Sequence, residues 1–183
     1  MNFVIILIKN MDKFEIIKEI YKTRISYIMK NYPRYDPYVL MPIFDWFTPI
    51  EQNVWQDIRV IGLPFVPQFP VSGYFIDFAD PVKKIGIEVD GKEWHMDKGK
   101  DEIRQGRLER LGWVIRRIEG RQTYKDTMWY SDREEDLLEK DPEDDYGKIK
   151  DLWKDYYADC SEGILRKLKS EFYNTYEREK LYK

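Results

Sequence analysis

Asp77, Glu88 and Asp90 sit in two neighbouring apolar runs, and His95, the only histidine of the chain, follows closely. A strand sends alternate side chains to opposite faces. Over Ile85-Gly86-Ile87-Glu88-Val89-Asp90, one face therefore carries Gly86, Glu88 and Asp90, and the other Ile85, Ile87 and Val89. The apolar face anchors the strand in a core. The acidic face holds two carboxylates about 7 Å apart. Like charges held that close are costly unless a cation or a proton neutralises them. A divalent metal site is the first hypothesis. The plain alternative is that both acids face solvent on an edge strand, where charge blunts unwanted pairing, and Asp90-Gly91 also reads as a turn.

Such a set suits phosphodiester hydrolysis, which needs a charge clamp on phosphate, an activated water and help for the leaving oxygen. Mg²⁺, with Mn²⁺ as an alternative, supplies the clamp and lowers the pKa of its water, and it binds through a few carboxylates with waters retained. Asp77 and Glu88 are the candidate ligands. Glu51 is a candidate to join them directly or through water, although a capping-box role explains it equally well. Asp90 is a secondary catalytic candidate. His95 titrates near neutrality and suits proton transfer; a packed histidine is the ordinary alternative. Lys92, Arg104 and Arg107 are candidates for phosphate contact, with solvated helix charge as the alternative.

The elements that must position these groups are legible from periodicity. Phe14, Ile17, Ile20, Tyr21, Ile25 and Ile28 predict an amphipathic helix over 12–30, ended by Asn31-Tyr32-Pro33. Residues 32–47 read as an ordered aromatic loop. Thr48-Pro49-Ile50-Glu51 opens a second helix with N-cap, first-turn proline and capping-box acid; Ile50, Val54 and Ile58 form its stripe, and Gly62 and Pro64 close it. Strands are predicted over 73–79, 83–90 and 113–118, the first two joined by a turn at Asp80-Pro81 as an antiparallel hairpin. A charged helix over 98–111, with Ile103, Leu108 and Leu111 inward, ends at Gly112 and makes the last two strands a parallel crossover pair. Residues 120–147 read as an acidic loop or broken helix. Further helices are expected from Ile149 and along Ile164, Leu165, Leu168 and Phe172.

The pattern Gln68…Tyr74-Phe75-Ile76-Asp77-Phe78, Ile87-Glu88-Val89-Asp90-Gly91…Trp94-His95, Asp101…Arg104…Leu108…Leu111-Gly112-Trp113-Val114-Ile115-Arg116 resembles the very-short-patch-repair endonuclease-like branch of the PD-(D/E)XK nuclease superfamily. Thr48-Pro49-Ile50-Glu51 is similar to the acid-bearing first helix of that branch. The resemblance spans about residues 48–118. It implies an α/β fold with a restriction-endonuclease-like αβββαβ core, a mixed sheet and metal-dependent DNA cleavage. The wider superfamily has Glu-x-Lys on the third strand, and here Asp90 occupies the lysine position. An acid followed by glycine and a downstream histidine is a known variant of this branch. His95 is then the expected proton carrier, with Lys92 as a substitute.

On this reading residues 1–47 are an N-terminal helical and aromatic extension, 48–120 the nuclease core, and 121–183 an acidic loop with C-terminal helices. The expected function is that of a Mg²⁺-dependent endodeoxyribonuclease of repair, homing or defence type. The rivals are a non-catalytic nucleic-acid-binding or interaction domain on the same fold, and an RNA nuclease with the same chemistry. The net charge of −3 argues against a broadly basic nucleic-acid binder. Charge is uneven, however: Lys83 to Lys125 holds 12 basic against 8 acidic residues, and Asp126 to Asp151 holds 4 against 11. A basic middle beside an acidic flank suits a polyanion surface. The one cysteine, Cys160, excludes an internal disulfide and a cysteine zinc cluster and fits a reducing cytoplasm. Phe3 to Ile8 is too short for a membrane span and lacks a leader pattern, so no membrane partner is expected.

Overall fold

The computed structural model describes residues 12–91, 98–123 and 159–173. Expectations for Lys92, His95, the acidic stretch beyond residue 123 and the helix from Ile149 lie outside the described residues. The chain falls into two compact units, Met1–Glu51 with Pro64–Arg117, and Gln52–Leu63 with Ile118–Lys183.

In the first unit, helix α1 spans Lys13–Lys30 and buries Ile17, Tyr21 and Ile28. The aromatic segment after it contains a 3₁₀ turn, Pro37–Leu40, and a short helix α2, Met41–Phe44. Helix α3, Pro49–Ile61, begins here and continues in the second unit. Then come β1 (Val66–Val71), β2 (Tyr74–Asp80), β3 (Ile85–Asp90), helix α4 (Lys98–Arg110) and β4 (Val114–Glu119). From α3 onward the order is αβββαβ, as expected. The strands form one sheet in the order β1-β2-β3-β4, with β1–β2 and β2–β3 antiparallel. The Val114 N–H donates to the Lys84 carbonyl at 2.9 Å, so β4 begins beside the start of β3. Near the far ends, Arg117 reaches Asp90. The last pair is therefore parallel, and the sheet is mixed.

β1 was not among the strands expected from periodicity. Pro67 and Pro70 interrupt its pattern, and proline is confined to edges and bulges because it cannot donate to the ladder. β1 is an edge strand, so the prolines are tolerated. The Phe65 carbonyl just before it and the Pro67 carbonyl within it accept hydrogen bonds from the Tyr35 and Tyr21 hydroxyls, respectively. β3 is the opposite case. It lies between β2 and β4 and is buried from Ile85 to Val89. The edge-strand alternative for Glu88 and Asp90 is thereby corrected.

One core cluster of the unit gathers Ile76, Ala79, Leu108 and Trp113, with Phe69, Val71 and Ile115 packed against them. Leu108 alone of the three α4 residues expected inward is buried; Ile103 is 64% and Leu111 42% exposed. At 3.6 residues per turn, Asp101, Arg104 and Leu108 share a face, and Ile103 lies off it. The polar Arg104 took the inward place that an apolar count assigned to Ile103. α4 ends in a Schellman motif: Trp113 N–H donates to the Leu108 carbonyl at 3.1 Å and Gly112 N–H to Glu109 at 2.8 Å. Gly112 has φ +85°, where glycine is at ease.

In the second unit, α3 buries Val54 and Ile58. Helix α5, Ser161–Phe172, buries Leu165 and Leu168 on the expected stripe. Ser161, at its first turn, donates to the buried Asp57 at 2.5 Å. Lys169 donates to the Ile61 carbonyl at 2.6 Å, near the end of α3. No helix among the described residues is long and apolar enough to cross a membrane.

Gly86 on β3 has no room for a side chain. A Cβ there would lie 2.6 Å from Ile115 Cδ1 and 2.8 Å from Ile76 Cγ2. Overpacking of this kind costs about 1–3 kcal/mol. Gly86→Val should therefore lower the unfolding free energy, read from urea titration, by that order and move the midpoint down. An unchanged midpoint would show that the two isoleucines yield freely.

Candidate active site

The first unit contains a cleft of about 530 Å³ where the C-terminal end of β3, the middle of β2, α4 and the start of α3 meet. Glu51, Asp77, Glu88, Asp90 and Asp101 line it, with Lys13, Arg104 and Arg117 as the cations. Four of the sequence-predicted residues, Glu51, Asp77, Glu88 and Asp90, are thus brought to one place. Arg104 joins them. His95 and Lys92 lie outside the described residues.

Each acid is held differently. Asp77 interrupts the ladder between β2 and β3. Pairing is regular from Asp80↔Ile85 to Phe78↔Ile87, and beyond it the Asp77 carboxylate itself accepts the Val89 N–H at 2.8 Å. Its other oxygen accepts from the Gln68 amide at 3.2 Å. Glu88 is nearly buried, 5% exposed. It accepts from Arg104 at 2.7 Å. The same guanidinium nitrogen donates to the Phe75 carbonyl at 2.7 Å, and the group packs over the Tyr74 ring. Arg104 is therefore an inward, partnered cation, and the solvated-helix alternative does not describe it. Arg107 does face outward and reaches the Tyr74 hydroxyl at 3.5 Å.

Glu51 fills the capping-box place and also lines the cleft. One of its oxygens accepts the Thr48 N–H at 2.6 Å and hydroxyl at 2.7 Å, completing a capping box at the head of α3. The other accepts from Gln68 at 2.8 Å. Gln68 thus links Glu51 to Asp77. Asp90 turns to Arg117 at 3.3 Å, and Arg117 lies 3.7 Å from Asp101 as well.

The electrostatics follow from this crowding. Burial raises Asp77 to a pKa of about 6; the charge of Glu51 adds to the rise, and the Val89 N–H and Arg104 oppose it. Burial raises Glu88 further, to about 8, with Asp77 adding and Arg104 opposing. Glu51, Asp77 and Glu88 therefore form a run of interacting carboxylates, opposed mainly by the half-buried guanidinium of Arg104, with Arg117 also acting on Glu88. Desolvated like charges of this kind favour a proton or a cation.

The donor set fits a hard divalent ion in its chemistry: carboxylate oxygens, partly desolvated and short of positive charge. Among the described residues, no group of three His, Cys, Asp or Glu side chains is close enough to cage a metal. Mg²⁺ does not need one, since it keeps several waters and binds through one or two carboxylates. Asp77 and Glu88 would be those two.

The roles of Gln68, Asp101 and Arg117 were not legible beforehand. Gln68 stood in the motif without a function, and its signal was a lone amide between Pro67 and Phe69. Asp101 and Arg117 are adjacent only because β4 returns parallel to β3.

A model of a restriction-endonuclease-like family, REase_MTES_1575, matches residues 50–139, just under half of the chain. A protein of Haemophilus influenzae, described as uncharacterized, is 32% identical over 76 residues. That alignment covers 39% of this chain and 63% of the relative, so the chain spans a little under two thirds of that protein's length. Among solved structures, the catalytic domain of the homing endonuclease I-Bth0305I aligns with a TM-score of 0.36 and 20% identity, over 60% of this chain and 98% of that one. The αβββαβ order and the mixed sheet agree with a restriction-endonuclease-like fold, the kind to which the matching family model belongs.

Proposed function

We propose that the chain is a metal-dependent DNA endonuclease of the very-short-patch-repair-like branch, acting in the cytoplasm. The observation that carries this reading is the convergence of Asp77 and the buried Glu88 in one acidic cleft, on a core that a nuclease family model matches. Mg²⁺ or Mn²⁺ held by Asp77 and Glu88 would supply positive charge to the phosphate and a water of lowered pKa. Glu51 and Asp90 stand next to that pair as secondary groups. Arg104, already inside the cleft, and Arg107, at its outer side, offer charge-assisted hydrogen bonds to phosphate oxygens, and Lys92 is a further candidate. His95 would carry the proton. Arginine does not deprotonate in proteins, so Arg104 and Arg107 are not candidates for that task.

Incubation of purified protein with plasmid and with single-stranded DNA, in Mg²⁺, Mn²⁺ or EDTA, tests the reading directly. Cleavage should require the ion. Asp77→Asn should lose about 10²-fold or more in single-turnover rate while remaining folded. A protein that binds DNA and never cuts it under any of these conditions would favour the non-catalytic rival; RNA cleavage in preference to DNA would favour the other.

His95→Ala should lower the cleavage rate by about 10²–10⁴-fold, the usual worth of a general acid or base, while Mn²⁺ and DNA affinities hold. A variant as fast as the parent would take His95 out of the mechanism and turn attention to Lys92.

The raised pKa values give a metal-free prediction with a definite sign. In the folded protein Asp77 and Glu88 keep their protons up to about pH 6 and 8, whereas the unfolded chain releases them near 4. The native state binds more protons in that window, so stability falls as pH rises through it. In EDTA, the unfolding midpoint should drop between pH 5 and pH 8.5. Glu88→Gln should flatten that drop, and Mn²⁺ should restore the parent at pH 8.5. Parallel curves for parent and Glu88→Gln would remove Glu88 as the source.

A further inference from the structure

Gln68 has a backbone that its place in the fold does not require. Its φ is +49°, in the left-handed region. The other described non-glycine residues with positive φ, Ser72 and Lys84, sit in turns; Gln68 sits inside β1. This conformation is strained for a residue with a Cβ. The β1–β2 register is the same on both sides, Pro67↔Phe78 and Phe69↔Ile76, so Gln68 stands opposite Asp77. No inserted residue forces the kink.

The side chain shows what the kink achieves. Its amide nitrogen donates to Glu51 at 2.8 Å and to Asp77 at 3.2 Å. Two carboxylates that repel one another share one neutral donor. Asp77 is then fixed from both sides, by Gln68 on one oxygen and by the Val89 N–H on the other. Glu51 is likewise fixed from both sides, by Gln68 and by Thr48. An amide suits this bridge because it adds no charge. A lysine would neutralise the acids and compete with a cation, and a third acid would repel them.

We propose that Gln68 is a positioning residue of the candidate metal site: held in a strained strand conformation, it bridges Glu51 and Asp77 and presents Asp77 to a divalent ion in one fixed orientation. The proposal rests on the metal-dependent reading above. It gives Gln68 a role in that site and makes the edge strand β1 part of it.

Gln68→Gly separates positioning from structure, because glycine adopts this backbone without strain while losing the bridge. Three quantities are measured on the full chain: Mn²⁺ affinity by calorimetry, the urea unfolding midpoint in EDTA, and kcat and KM on plasmid DNA. The expected result is an unfolding midpoint equal to or above the parent's, Mn²⁺ affinity weaker by about 10–100-fold, and a fall in kcat with KM for DNA little changed. Gln68→Glu, which puts a third carboxylate in the bridge, should weaken Mn²⁺ cleavage as well and should lower the midpoint at pH 8. Gln68→Gly that binds Mn²⁺ as tightly as a parent that binds and cuts would overturn the role of Gln68 alone. A loss of affinity matched by an equal loss of stability in Gln68→Gly would also overturn it, as a structural effect. A parent that binds no Mn²⁺ and cuts nothing would overturn the metal reading, and this proposal with it.

Discussion

Everything in the first unit answers to one constraint: several carboxylates must be kept close together and out of bulk water. Glu51, Asp77 and Glu88 come from a helix start and two strands, and each raises the cost of burying the next. The molecule meets that cost with directed donors instead of many counter-charges. A backbone N–H from Val89, a shared amide from Gln68 and a single guanidinium from Arg104 do most of it. Such fixed dipoles hold a carboxylate without cancelling it, and the residual negative charge is what a cation would meet.

The scaffold explains why these donors stay put. β3 is central and closely packed, with no space for a Cβ at Gly86, so Glu88 rides on a strand that cannot shift. Arg104 is anchored by three different groups, Glu88, the Phe75 carbonyl and the Tyr74 ring. Its own helix is stopped at Gly112 and turned at once into β4 by Trp113, whose ring joins the core. The helix that supplies Arg104 and the strand that supplies Arg117 are therefore one continuous device, tied to the sheet at both ends.

Much of this was legible in the sequence. The helices over 13–30, 49–61 and 98–110, the hairpin at Asp80-Pro81 and the parallel return after α4 followed from periodicity and stop signals. The acids Asp77 and Glu88 declared themselves as charges inside apolar strands. What was hidden has physical causes. β1 carries two prolines, which spoil a strand pattern but not an edge strand. Ile103 looked inward because apolar residues usually do, while the buried place went to an arginine whose partner, Glu88, lies sixteen positions away. Gln68 was unreadable because its role depends on a backbone conformation that no residue preference reports. Arg117 met Asp90 and Asp101 only through tertiary return of the chain.

Tyr21 and Tyr35, which donate to carbonyls at the start of β1, have a consequence outside the site. Phe65 and Pro67 are alternate residues, so their carbonyls point the same way along the strand, and both are taken by side-chain hydroxyls. Pro67 has no N–H to offer on that side either. An incoming strand from another molecule would find acceptors already occupied and a donor missing, on a ribbon already kinked at Gln68. Exposed sheet borders are templates for runaway association, and proteins blunt them with such devices. On the β1 border, which carries part of the candidate site, Phe65 and Pro67 thus offer an incoming strand little to pair with.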